Sequence, residues 1–153
     1  MRWKWVGLFP LLAAISCRYA TAPEPDVVMT AHVSRSTFRV GDTVIVTVVI
    51  ANRGREVRSV PSKDCPWPFV VTTPEGMVVG PDFAARECLL DLPSVKLGPG
   101  EQLEFTAQWN GSAMRTSPDV PAMLPSGTYL VRGQIVGNAP LPPTVAVTIN
   151  ITS

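Results

Sequence analysis

A chain of 153 residues with 13 basic and 12 acidic side chains is nearly neutral and has no basic run, which argues against nucleic-acid binding. A hydrophobic content of 46%, with 16 prolines and 11 glycines, suits one domain with a core and many turns. It disfavours long helices.

The first 17 residues have the form of a targeting segment. Arg2 and Lys4 precede the apolar stretch Val6–Ile15, which is too short to span a bilayer as a helix. Ala14-Ile15-Ser16-Cys17 then places small residues before a cysteine. This pattern predicts a bacterial lipoprotein signal in which Cys17 is acylated as the first mature residue. Ala14 stands where such signals usually have leucine, and the competing reading is an ordinary secretory signal that yields a soluble exported or periplasmic protein. Loss of Arg2 and Lys4 takes the formal charge from +1 to −1, so membrane attachment would come from lipid and not from a basic surface. Three cysteines in an exported chain leave one over. Lipidation of Cys17 leaves Cys65 and Cys88 to form a disulfide. A metal pair is the weaker reading, because there is no CxxC and His32 is the single histidine.

Residues 18–26 (RYATAPEPD) read as a polar tether. Residues 27–153 read as the domain. Val27–Ser34 alternates, with Val27, Met29, Ala31 and Val33 on one face. Phe38–Asp42 is a short extended piece closing in a Gly-Asp turn. Thr43–Ala51 is dense in β-branched residues, with Val44, Val46, Val48 and Ile50 facing a core, and Asn52-Arg53-Gly54 ends it. Glu56–Val60 is a short strand. Pro61–Pro68 is excluded from a central strand by its prolines. Phe69–Thr73 and Met77–Gly80 flank Pro74-Glu75-Gly76 as a hairpin. Pro81–Pro93 is irregular, with one helical turn expected at Phe83–Glu87.

Leu97–Gly111 is the clearest element. A Gly-Pro-Gly turn leads into strict alternation, with Leu103, Phe105, Ala107 and Trp109 on the apolar face. Asn110–Ser126 is a long polar loop with a methionine-rich tip that includes Met123. Gly127–Val136 places Tyr129, Val131, Gly133 and Ile135 together, and Thr144–Ile151 turns Val145, Val147 and Ile149 inward. Pro140, Pro142 and Pro143 guard the edge between them. The sum is an all-β fold, an immunoglobulin-like antiparallel β-sandwich of about seven to nine strands. Tyr129, just after Pro125-Ser126-Gly127, sits where a tyrosine corner would lie; the alternative is an ordinary core tyrosine.

Little in this chain points to catalysis. His32 falls on the outward face of its strand, no serine sits in GxSxG or SxxK, and no triad can be assembled. Asp82, Glu87 and Asp91 surround Cys88 without a calcium-loop spacing and read as a solvated loop. Asn110-Gly111-Ser112 and Asn150-Ile151-Thr152 match the glycosylation sequon by chance. No catalytic, cofactor-binding or metal-binding residue is predicted. The candidate contacts for a partner are Trp67 and Met123. Trp67 lies in a rigid Pro-Trp-Pro, which either presents the ring to a partner or folds it back over the disulfide or the core edge.

The order of motifs carries a resemblance. Phe38-Arg39-Val40-Gly41-Asp42 is followed by a valine-rich strand ending Ala51-Asn52, then by Phe69-Val70-Val71 and a Pro-Glu-Gly hairpin. Leu97-Gly98-Pro99-Gly100-Glu101, Phe105, Trp109-Asn110-Gly111 and Gly127-Thr128-Tyr129-Leu130-Val131 complete the series. Over most of Val27–Ile151 this resembles the BsuPI domain, a family named for a bacterial intracellular proteinase inhibitor. The resemblance implies an immunoglobulin-like sandwich and inhibition of serine proteinases. The matching residues are core and turn residues, so no reactive-site residue transfers. The chain departs from the founding member in its export signal, its added cysteine pair and its Pro-Trp-Pro loop. The expectation is a non-enzymatic, envelope-tethered module with a protein partner, or else a structural or accessory lipoprotein of the envelope.

Overall fold

The computed structural model describes residues 26–61, 67–82, 94–114, 123–134 and 144–153. The targeting segment with Cys17, the tether up to Pro25, Cys65, Cys88, the helical turn expected at Phe83–Glu87, Glu87, Asp91, Ile135 and the prolines 140, 142 and 143 lie outside the described residues. So do residues 115–122 of the long loop.

The described residues are all-β: ten strands and no helix. They are β1 (Val27–Val33), β2 (Thr37–Arg39), β3 (Val44–Asn52), β4 (Arg58–Pro61), β5 (Phe69–Thr72), β6 (Val78–Gly80), β7 (Ser94–Leu97), β8 (Gln102–Trp109), β9 (Gly127–Gly133) and β10 (Val147–Thr152). They form a three-stranded sheet β1-β3-β8, a five-stranded sheet β2-β10-β9-β5-β6 and a small pair β4-β7. All pairings are antiparallel except β2 with β10, which is parallel.

Strand β3 is central because its sequence suits no other place. Val44, Val46, Val48 and Ile50 are completely buried. The β-branched run pairs on both sides, with Ala31↔Val48 toward β1 and Val48↔Phe105 toward β8. On β8 the alternation holds: Phe105 and Trp109 are buried, Leu103 and Ala107 half-buried, and Gln102, Glu104, Thr106 and Gln108 exposed. On the second sheet Tyr129 and Val131 of β9 and Ile149 and Ile151 of β10 supply the inner face.

The two large sheets press against each other at Gly133 of β9. A Cβ there would lie 2.7 Å from Met29 Sδ and 2.9 Å from Val48 Cγ1, a separation only a residue without a side chain permits. Aromatic rings complete the bridge. Trp109 of β8 meets Phe38 of β2 and Phe69 of β5 edge to face, with centroids 5.9 Å apart in both pairs. Its indole N–H is satisfied by the Ser112 carbonyl at 3.0 Å. Such edge-to-face contacts add about 0.5–1.5 kcal/mol each to the burial of the rings.

The expected turns form as their chemistry requires. Gly98–Glu101 closes with a Glu101 N–H to Gly98 carbonyl bond of 3.1 Å, Pro99 inside and Gly100 at φ 80°; this is a type II turn. Thr73–Met77 closes the β5–β6 hairpin through the Gly76 N–H on the Thr73 carbonyl and the Thr73 N–H on the Met77 carbonyl, both 2.9 Å.

Three expectations need correction. Val145 does not turn inward but is 76% exposed. It precedes β10 and meets edge strand β1 in an isolated parallel bridge at Thr30, so the alternation that buries Ile149 and Ile151 does not reach back to it. The second concerns Ser94–Leu97, which forms β7 against β4, with Arg58↔Leu97 and Pro61↔Ser94. Leu97 is therefore the buried end of a strand as well as the start of a turn. The strand expected over Glu56–Val60 begins at Arg58, because Glu56 and Val57 belong to the preceding turn.

Candidate functional site

The strand register defines two ends. At one, Val27 lies opposite Asn52 and Ala51 opposite Gln102. At the other, Val44 lies opposite Trp109, and the Gly41 N–H donates to the Asn110 carbonyl. The long loop leaves and returns at this Gly111 end. Its two limbs are pinned together: Ser112 and Met123 form a β-bridge, and the Leu124 N–H donates to the Gly111 carbonyl at 2.8 Å. The Met114 N–H reaches the Val79 carbonyl on β6 at 2.9 Å.

Met123 is half-buried. Its methyl group shares the space above Gly111 with Phe38 and Ile151, so it seals the end of the core. The neighbouring apolar side chains that remain exposed are Met77, Val78 and Met114, with Met77 at 64%. The backbone bond between Met114 and Val79 places them along one edge of the second sheet. Methionine suits a surface that must adapt to what it meets.

Trp67 is half-buried and packs against the core. Its ring sits edge to face on Phe69, centroids 5.7 Å apart, and its indole N–H donates to the Asp82 carbonyl at 2.9 Å. The Trp67 ring thus lies against the core edge while staying partly exposed, and Pro66 before it lies outside the described residues. Trp67 ends a chain of rings that runs Phe38, Trp109, Phe69, Trp67 across the core. The structure does not bring Trp67 and Met123 into contact with each other. Cys65 and Cys88 lie in segments whose described ends are joined: Pro61 pairs with Ser94, and Trp67 bonds Asp82.

His32 is exposed on the outer face of β1, opposite Thr47. Among the described residues no group of three His, Cys, Asp or Glu side chains is placed to hold a metal ion. No described helix is long and apolar enough to cross a membrane. Tyr129 donates its hydroxyl to the Pro125 carbonyl at 2.9 Å, four residues back, and burial pushes that hydroxyl's pKa up.

The residue that sequence reasoning passed over is Asn52. It is completely buried, and its side chain is fully engaged. Nδ2 donates to the carbonyls of Glu56 at 2.7 Å and Leu97 at 2.9 Å, and Oδ1 accepts from the Gly54 N–H at 3.0 Å. Its backbone clasps the type II turn, donating to Glu101 at 2.9 Å and accepting from Gly100 at 2.8 Å. One amide thus ties β3, β7 and two turns together.

No family model matches the chain, and no curated protein matches it. Among solved structures, the chain is similar to the Pseudomonas fluorescens alkylpurine DNA glycosylase AlkC bound to DNA containing an abasic site analog, with a TM-score of 0.39 and 10% identity. The match covers 86% of this chain and 32% of that one, so the chain spans about a third of the protein it matches. A likeness of this size carries no argument about activity.

Proposed function

We propose that the chain is an immunoglobulin-like β-sandwich, displayed at a bacterial cell envelope by lipid on Cys17, that binds another protein without catalysing a reaction. The sandwich reading is supported by the order of pairing. With β1, β3 and β8 as strands A, B and E, and β5, β9 and β10 as C, F and G, each strand falls in the sheet that this layout assigns to it, and β6 extends the second sheet as C′. The back-bonded Tyr129 near the start of strand F is the corner expected there.

The binding reading is carried by one observation: the loops at the Gly111 end lie opposite the end from which the tether leaves. They present Met77, Val78 and Met114 beside the pinned neck of the long loop. The resemblance to the BsuPI domain makes a serine proteinase the partner of first choice. A structural or accessory lipoprotein without inhibitory activity is the second reading, favoured by the half-buried state of Trp67 and Met123, which leaves neither side chain projecting as a reactive loop would.

Titration of the mature chain carrying Cys17→Ala against a panel of serine proteinases separates the two. Saturable inhibition at micromolar concentration or below supports the inhibitor. Digestion of the chain without inhibition overturns it. In that case cross-linking in intact cells should capture one abundant envelope partner.

A further inference from the structure

Asp26, the last residue of the tether, is fastened to the turn that follows β3. Its carbonyl accepts from the N–H groups of Arg53 at 2.6 Å and Gly54 at 3.1 Å, and its carboxylate pairs with the Arg58 guanidinium. Asn52 holds the same turn from the inside, through Gly54 and Glu56. Arg58 also reaches Glu56 at 3.6 Å. The backbone of residues 53, 54 and 56 and the side chains of Asn52 and Arg58 therefore fix the turn, while the side chains of Arg53, Arg55, Glu56 and Val57 are exposed. Arg53 and Arg55 are exposed and form no ion pair among the described residues, and Val57 is 58% exposed. Of the described acidic groups at this end, Asp26 pairs with Arg58, Glu101 accepts from the Gly98 N–H at 2.6 Å, and Glu56 lies 3.6 Å from Arg58 with its side chain 77% exposed.

We infer that this preformed tip rests on the bilayer that anchors the chain, with Arg53 and Arg55 against anionic headgroups and Val57 in the interface. The inference rests on the Cys17 anchor proposed above. Residues 18–25 separate the anchor from the clasp. Fully extended they reach about 28 Å, and as a flexible chain about 16 Å. Because Asp26 is clasped, that short tether leaves from the Asn52 end and brings this end to the membrane. Arginine stems lie along apolar surface while their heads meet phosphate, and a small apolar side chain between them matches the headgroup–acyl boundary. Each arginine should raise occupancy of the surface-bound orientation about fivefold on an anionic leaflet. The same geometry turns the Gly111 end, with Met77, Val78 and Met114, away from the bilayer and toward a partner.

Hydrogen exchange on the acylated full chain tests the contact, in phosphatidylcholine vesicles with and without phosphatidylglycerol. The amides of Arg55–Val57 should exchange at least fivefold more slowly on the anionic vesicles. The difference should vanish in the Arg53→Glu/Arg55→Glu variant, whose thermal midpoint stays that of the parent. Equal exchange on both vesicles, or slowing at residues 110–114 instead, overturns the contact. Palmitate labelling of the same chain against Cys17→Ala reports the anchor separately. Label without slowing overturns the tip contact alone, and no label overturns the anchor and the contact with it.

Discussion

Replacing Asn52 by alanine should be among the most damaging single changes a polar residue in this chain allows. The side chain makes three hydrogen bonds, at 2.7, 2.9 and 3.0 Å, in a completely buried position. At about 1 kcal/mol net for each bond, the loss is about 3 kcal/mol. Leu97 is itself buried, so its carbonyl cannot turn to water, and this keeps the figure from falling much lower. Against a total stability of about 5–15 kcal/mol for a domain of this kind, the change is large. Urea unfolding followed by tryptophan fluorescence reads it directly. With an m-value of about 1.5 kcal/mol/M, the midpoint should drop by about 2 M at unchanged m. The Asn52→Asp variant adds a sign. Its carboxyl would set an oxygen against two carbonyls, so it folds best protonated, and its pKa rises on folding. The unfolded chain then loses that proton first as pH increases, and stability falls from the carboxylate range upward. A loss below about 1 kcal/mol in the alanine variant, or a pH-independent aspartate variant, would refute the assignment of Asn52 as the tie between β3, β7 and the two turns.

Tyr129→Phe should cost about 1 kcal/mol in the same assay, the worth of the bond to Pro125. Burial raises the tyrosine pKa above its ordinary 10.0, so the parent should lose stability as pH climbs past that value, where the unfolded chain ionises first. The phenylalanine variant should lack that component, and identical alkaline profiles would count against the buried hydroxyl. For the cysteines, a thiol assay on the denatured, unreduced mature chain should find Cys65 and Cys88 unreactive. Reduction should then lower stability by about 3 kcal/mol, the entropy of the loop they close, whereas two reactive thiols would sink the pairing.

What the sequence revealed followed from periodicity. The β-branched run of β3 and the alternation of β8 are strong local signals: the four core residues expected on β3 are buried, as are Phe105 and Trp109 on β8, with Leu103 and Ala107 half-buried. The hairpin at Pro74-Glu75-Gly76 and the turn at Gly98–Glu101 were equally readable, because glycine and proline chemistry acts within four residues. Longer-range features were hidden. Ser94–Leu97 is too short to show a period and becomes a strand only because β4 is there to pair with it. Val145 has the parity of an inward residue but lies before the ladder that would enforce it. Asn52 reads as a turn residue, and its role depends on a carbonyl 45 positions away. Arg53, Arg55 and Val57 gain meaning only once the register sets Val27 beside Asn52 and so brings the tether to their side.

The pinned neck of the long loop separates what must be kept from what is free to change. Ser112 meets Met123, and Leu124 bonds Gly111, so the frame itself holds the two limbs together whatever lies between them. Lengthening such a closed segment is cheap: doubling it costs only about 0.6 kcal/mol. Insertions or deletions between the pinned limbs should therefore leave the Gly111–Leu124 attachment in place. A change of length between the two limbs would thus act beyond the neck, without asking the bridge at Ser112 and Met123 to reopen.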